Sequence, residues 1–229
     1  MNVLAVDVGG TSVKILASGE SEPRKFRSGK TMTPEQMVRG VKEASGDWKY
    51  DVVSLGYPGL VQRGHVIAEP RNLAPGWIDF NFPAAFGCSV KIMNDAAAMQ
   101  ALGSYQNGLL LFIGLGTGLG SAFVADGVVI PLELGHLSYR KSEFEDYIGK
   151  RGFERLGRRR WEQQVEFIVA RLIDAQHPDD VVLGGGNARK LKTLPHGCRL
   201  GDNAFAFAGG FRMWRGAGRS ARSGLRHRA

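Results

Sequence analysis

Asn94 and Asp95, in the stretch KIMNDAAAMQ, stand where an apolar run gives way to a run of small helix-forming residues. In open α/β sheets this is the end that presents ligands to a crevice. A carboxylate there can cap the helix that follows, or it can take a proton from a bound hydroxyl. LELGHLSY sets Glu133, Gly135 and His136 in a segment with neither helical nor strand period. The remaining candidates are glycine turns. VDVGGTSVKI (6–15) places Gly9, Gly10 and Thr11 between two apolar, β-branched runs, so the turn is a hairpin and not the strand-to-helix loop of a dinucleotide or Walker site. Glycines let successive N–H groups aim at one anion, and Thr11 adds a hydroxyl, although the same residues also serve hairpin geometry alone. FIGLGTGLGSAFVADG (112–127) repeats the plan, with Gly116 and Thr117 in place of Gly10 and Thr11. Two related halves are therefore expected, gripping a phosphate chain from both sides. A third run, VVLGGGNARKL, follows a buried strand and precedes a helical stretch, which suits Gly184, Gly185, Gly186 and Asn187 to covering a base or ribose. Together these groups fit the movement of a phosphoryl group onto a polyol.

The elements that must position them alternate. Strands are predicted over 3–8, 13–17, 52–56, 90–93, 109–113, 121–124 and 181–183, and helices over 96–103, 144–156, 161–175, 188–194 and 204–214. The clearest helix start is Thr33-Pro34-Glu35-Gln36, a capping box with proline in the first turn, followed by an apolar face of Met37, Val38, Val41 and Ala44. Strands alternating with helices give an α/β class, and the hairpin that opens each half makes the sheets mixed. Residues 58–83, punctuated by Pro58, Pro70, Pro75 and Pro83, form a long loop that is a candidate substrate lid.

Of 229 residues, 43% are hydrophobic and 23% charged, which fits a globular protein with a sizeable core. No run is apolar enough to span a membrane, and the first strand starts too early for a signal peptide, so a cytoplasmic location is expected. Cys88 and Cys198 give no disulfide framework and no zinc site by themselves. The net charge of +8 does not indicate a nucleic-acid partner, because Arg215, Arg219, Arg222, Arg226 and Arg228 lie in a Gly/Ser/Ala/Arg tail without packing residues. That tail, 215–229, is expected to be disordered. A second basic cluster, Lys150, Arg151, Arg155, Arg158, Arg159 and Arg160, is either a solvated helix face or a track for a long polyanion.

The order of VDVGGTSVK, PRNLAPGW, NDAAAMQALG, GLGTGLGSAFVADG, ELGH and VVLGGGNARKL resembles the ROK family (repressors, open reading frames and sugar kinases) of the actin-like ATPase and sugar kinase superfamily. The resemblance spans about residues 3–214. Within the family, the ELGHL segment is similar to that of polyphosphate- and ATP-dependent glucokinases.

The resemblance implies a two-lobed ribonuclease H-like (actin-like ATPase) fold with mixed sheets flanked by helices. The lobes would be residues 1–95 and 96–214, with the last helix packing back on the first lobe. It implies a hexose kinase, glucose being the first candidate, using ATP or polyphosphate with Mg²⁺, and a homodimer without membrane or nucleic-acid partners. Asp7 would orient the metal, through water, and the phosphates. Gly9, Gly10, Thr11 and Lys14 would form one phosphate loop, and Gly116, Thr117 and Gly118 the other. Asn72, Asn94, Glu133, His136 and Glu145 would line the sugar, with Asp95 as base, and Gly184 to Asn187 would lie over the adenosine.

Two departures stand out. Many family members carry a Cys-rich zinc loop that also uses the motif histidine; those cysteines are missing here, so zinc is predicted absent and His136 free to bind sugar. An Asn usual two residues after the catalytic Asp is Ala97. Ala97 and the short chain keep a catalytically silent sugar-binding protein as an alternative. A sugar-responsive repressor would need a helix-turn-helix ahead of the first strand, for which three residues leave no room. An actin-like ATPase with a protein partner would have no use for the Asn-Asp and Glu-x-x-His sets.

Overall fold

The computed structural model describes residues 1–202 and 204–214, without the side chains of Asp95 and Ala96. The expectation of a disordered tail over 215–229 lies outside the described residues.

Strands β1 (Val3–Val8), β2 (Ser12–Ala17) and β3 (Arg24–Arg27) form an antiparallel meander. Helix α1 (Pro34–Ser45) leads to β4 (Val52–Tyr57), the two-residue pair β5 (Val61–Gln62) and β6 (His65–Val66), the short helix α2 (Phe82–Phe86) and β7 (Ser89–Asn94). This sheet runs β3-β2-β1-β4-β7, with β4 parallel to both its neighbours. After α3 (Asp95–Ser104) the plan starts again, with β8 (Leu109–Leu115), β9 (Leu119–Ala125) and β10 (Val128–Leu132) as a second meander. Then come the small pair β11 (Ser138–Tyr139) and β12 (Ser142–Glu143), helices α4 (Phe144–Ile148) and α5 (Lys150–Gln176), strands β13 (Asp180–Gly184) and β14 (Cys198–Leu200), and α6 (Phe205–Arg212). The second sheet runs β10-β9-β8-β13-β14, again with the last three parallel, so both halves have one topology.

The strands with apolar residues on both faces are those buried on both sides. In β1, Leu4, Val6 and Val8 pack with Met37, Val38 and Val41 of α1, whereas Ala5 packs with Met99 of α3 and Ala206 and Phe207 of α6. In β8, Leu111, Ile113 and Leu115 pack with Trp161, Val165 and Ile168 of α5, whereas Leu110 and Phe112 pack with Ala97 and Ala101 of α3. Helices α3 and α6 are thus the middle layer between two sheets, with α1 and α5 outside. Each large side chain buried this way contributes about 1.5–3 kcal/mol before entropy is counted.

The middle layer is thin because its contacts are glycines. A Cβ on Gly103 would run into the backbone carbonyl of Phe205, one on Gly209 into that of Met99, and one on Gly210 would come within 2.7 Å of Ala5 Cβ. Polar bonds fasten α6 in place: the Ser54 hydroxyl donates to Gly210 O at 2.6 Å, and Arg212 donates to the carbonyls of Leu102 and Tyr105 at 2.8 and 2.7 Å.

The capping box forms as expected, Thr33 Oγ1 accepting from Gln36 N at 3.3 Å and Gln36 Oε1 accepting from Thr33 N at 3.1 Å. Other expectations change. The single helix over 144–156 is two, divided at Gly149, and α5 is kinked where Gly157 sits at φ 71°. The helix over 188–194 shrinks to one 3-10 turn, Ala188–Lys190; Pro195 just beyond turns its approach away from the α region. Residues 58–83, the candidate lid, are internally fastened and carry the pair β5–β6. Both Glu69 carboxylate oxygens accept backbone N–H groups, from Gly76 and Trp77 at 3.0 and 3.1 Å, and Trp77 is wholly buried against Tyr57 and Phe82. No helix among the described residues is long and apolar enough to cross a membrane.

Candidate active site

Both glycine turns are three-residue hairpin links at the carboxyl ends of the first strand of their sheets. Gly9, Gly10 and Thr11 join β1 to β2, where Gly9 N donates to Ser12 O at 3.0 Å and the Ser28 hydroxyl donates to Gly9 O. Gly116, Thr117 and Gly118 join β8 to β9, closed by Gly116 N to Gly118 O at 3.1 Å. Asp7 lies directly opposite Lys14 in the β1–β2 ladder. Directly opposed residues hold their Cβ atoms about 5 Å apart, so this half-buried carboxylate and its cation share one face at the strand ends.

Each hairpin touches one residue expected at the sugar. A Cβ on Gly10 would come within 2.9 Å of the Asn72 Cβ, and one on Gly118 would strike the Glu145 carboxylate. Asn72 is delivered by the 58–83 segment that Glu69 ties down. Glu145 is delivered by α4, whose carbonyl at Glu145 accepts from Gly149 N at 2.8 Å, while Lys150 N donates to Gly116 and Thr117 O at 3.0 and 3.2 Å. The start of α5 is thereby bonded to the second hairpin.

Glu133, His136 and Glu145 come together beside that hairpin. The Ser121 hydroxyl on β9 donates to Leu132 O at 2.9 Å and accepts from Leu134 N at 3.2 Å, which pins the backbone on both sides of Glu133. Gly135 lets the 3-10 turn Leu134–His136 lie against Leu119 O, where a Cβ would come within 2.9 Å. His136 Nδ1 meets Glu143 Oε2 at 2.8 Å, and its Nε2 lies 3.8 Å from Glu133 Oε2. The bond to Glu143 raises the imidazole's pKa, against a smaller opposing effect of burial, and the charges of Glu143, Glu145 and Glu133 add to the rise. Glu143 is a residue that the sequence reading missed.

Asn94 ends β7 and does not cap α3; its Oδ1 accepts from Val61 N at 2.9 Å and anchors the 58–83 segment instead. The Asp95 side chain, expected to be the base, lies outside the described residues, but its position is fixed as the first residue of α3. The first turn of that helix abuts the second sheet, since a Cβ on Gly114 would meet Ala97 Cβ at 3.7 Å. Ala97 is itself packed with Phe112 and Val182, which accounts for a small side chain in place of the usual Asn. Gly184 to Asn187 follow β13. Asn187 is buried, its N–H bonded to Leu115 O and its Nδ2 to Gly116 O, both at 2.9 Å, so it fastens the glycine run to the hairpin.

A thiolate zinc site does not fit this arrangement. Cys88 precedes β7 in the first sheet and Cys198 lies in β14 of the second, and burial pushes the Cys198 thiol up to about 12. His136, Glu143 and Glu145 each offer one donor atom within 4.8 Å of the others, but they include no thiolate, and structural zinc sites are built from four ligands that are mostly cysteine and histidine. Metal analysis of purified protein is expected to find no stoichiometric zinc, and about one zinc per chain would overturn this.

Two mixed sheets of one topology around a shared helical layer make up the fold that this chain shares with solved ROK-type structures. The chain belongs to the ROK family, whose model matches residues 3–151. It is 29% identical over 206 residues to the polyphosphate glucokinase of Mycobacterium leprae, covering 81% of this chain and 63% of that one. The chain therefore spans less than two thirds of that relative's length. Among solved structures, the inorganic polyphosphate/ATP-glucomannokinase of Arthrobacter sp. strain KM superposes with a TM-score of 0.74 at 23% identity, covering 91% of this chain and 96% of that one. The ROK glucokinase of Streptomyces griseus, in complex with glucose and AMPPNP, gives 0.73 at 17% identity, covering 94% and 99%.

Proposed function

We propose that the protein is a hexose kinase that transfers a phosphoryl group from ATP or polyphosphate to a sugar hydroxyl, with glucose to glucose 6-phosphate as the first candidate reaction. The observation that carries this reading is the junction of each phosphate hairpin with a polar sugar-facing group, Gly10 with Asn72 and Gly118 with Glu145. On this reading the hairpins take the phosphates and these side chains the sugar, which would bring donor and acceptor together as in-line transfer requires. The kinases named above, two of them polyphosphate-using by name, support the same reading.

Glu133, His136 and Glu145 orient the sugar from the second lobe, and Asn72 from the first. Asp95 aligns the attacking hydroxyl and accepts its proton as the new bond forms. Hairpin N–H groups and Lys14 stabilise the charge on the transferring oxygens. The oxygen donor of Asp7, half-buried at a strand end, suits a hard cation, and Mg²⁺ held there, through water, would neutralise phosphate charge.

Polyphosphate is expected to serve as well as ATP or better. Several cations of the basic cluster are engaged: Arg151 and Arg155 at Asp146, Arg158 at Glu162 and at Lys190 O, and Lys150 at Glu154. For Arg159 and Arg160 no ion pair is found among the described residues, and both are exposed on α5. The test is a coupled assay over a hexose panel with both donors. Arg159→Ala with Arg160→Ala is expected to raise the KM for polyphosphate several-fold while sparing that for ATP, and added salt should weaken polyphosphate use more steeply. Equal effects on both donors would remove the basic track. No phosphorylation of any hexose would remove the kinase reading.

A further inference from the structure

The hairpin between His136 and α4 is a small, rigidly mounted device. Ser138 pairs with Glu143 and Tyr139 with Ser142, around a turn in which Arg140 takes a left-handed backbone at φ 56°. Tyr139 fixes the hairpin to the helices: its ring packs on Phe144, Tyr147 and Phe167, and its hydroxyl donates to Gln164 Oε1 at 3.1 Å. Phe144 N donates to Leu137 O at 3.0 Å, which closes the hairpin against the turn that bears His136. On the other side of the contact, His136 N donates to Glu133 O at 3.2 Å. Both partners of the 2.8 Å contact between His136 Nδ1 and Glu143 Oε2 therefore stand on fixed backbone.

A carboxylate at that distance can only accept, so Nδ1 carries the proton. The ring's other nitrogen, Nε2, then lies 3.8 Å from Glu133 Oε2, with the Glu145 carboxylate in the same group of side chains. We propose that Glu143 is a positioning residue of the sugar site, accepting the Nδ1–H of His136 so that the ring is held in one plane and Nε2 is the atom presented to the sugar. This rests on the reading of His136 as a sugar-facing group. An exposed pair between two free side chains would contribute little, because holding both in register costs entropy. Here the ladder and the turn fix the backbone of both residues, so the bond has only side-chain rotamers left to order.

The test uses ¹⁵N-labelled full chain and two-bond ¹H–¹⁵N spectra of the imidazoles at a single pH, with the His136 signals assigned by their loss in His136→Asn. Wild type is expected to show protonated Nδ1 at His136. Glu143→Ala should relax it toward the Nε2–H form preferred by a free imidazole. In kinetics, Glu143→Ala is expected to raise the sugar KM about tenfold, the scale of a lost charge-assisted hydrogen bond, with kcat changed by less than about threefold. Glu143→Gln should fall between, since its amide oxygen still accepts. An unchanged His136 spectrum in Glu143→Ala overturns the proposal, and so does a changed spectrum with an unchanged sugar KM. A wild type that phosphorylates no hexose overturns the kinase reading and this proposal with it, an outcome distinct from both.

Discussion

Replacing Asp95 with Asn is expected to leave the protein folded and able to bind sugar while lowering turnover by about a hundredfold or more, the loss that follows removal of a positioned general base. The placement of residue 95 carries this expectation. It follows β7, at the carboxyl edge of the first sheet, and opens α3, whose first turn touches Gly114, through Ala97, on the strand that runs into the second hairpin. On the proposed reading, a group at that strand end would serve the sugar next to the transferring phosphate. Asn keeps the shape and the hydrogen-bonding reach of Asp but cannot take up the sugar proton. Some stability should also be lost, about 0.3–1 kcal/mol, as a negative charge leaves the first turn of a helix. Steady-state rates with both donors, together with a thermal melt and a sugar titration, separate the effects. Unchanged turnover would remove Asp95 from the mechanism.

The second large effect is on stability. Gly209→Ala is expected to cost about 2–3 kcal/mol, because the new methyl group meets the backbone carbonyl of Met99 and not the end of a side chain that could rotate away. Relief requires α6 to separate from α3, which draws Ala206 and Phe207 off Ala5 and Met99. Alanine's better helix propensity returns only about 1 kcal/mol. For a chain of this size the melting temperature should fall by about 4–12 °C. Gly103→Ala, which meets the carbonyl of Phe205, should behave alike. A neutral or stabilising result for both would mean that the two helices do not cross at their glycines.

How far the sequence carried this depended on whether each signal was local. The capping box of α1 forms within four residues, and the central strands declare themselves by apolar runs, so both were legible. Strands β3, β10 and β14 were not. β3 is Arg24–Arg27, three of its four residues basic, and it exists because β2 offers it a ladder; β10 and β14 are likewise outer strands, made by pairing more than by their own composition. The helix over 144–156 was read as continuous because its apolar spacing is, yet Gly149 must approach Thr117 O and Glu145 O too closely for any side chain. In the site, the two hairpins were visible from glycines set between β-branched runs. The partnership of His136 and Glu143 was not, since it depends on the register of a ladder only two residues long. Residues 58–83 looked loose because prolines and few periodic residues say nothing about a carboxylate gathering backbone N–H groups from seven or more residues away.

The shared topology of the two sheets has a further meaning for how the work is divided. Both halves kept a strand, a three-residue glycine link and a second strand, but what rests against the link differs: an uncharged amide, Asn72, against Gly10, and an acid, Glu145, against Gly118. The frame thus occurs twice with contacts unlike in polarity, an amide at one link and a carboxylate at the other. On the function proposed above, neither half expressed alone would own a complete donor pocket or a complete acceptor pocket, because each would carry a portion of both. On that reading, severing the chain between β7 and β8 should yield two fragments that must recombine before either substrate meets a finished site.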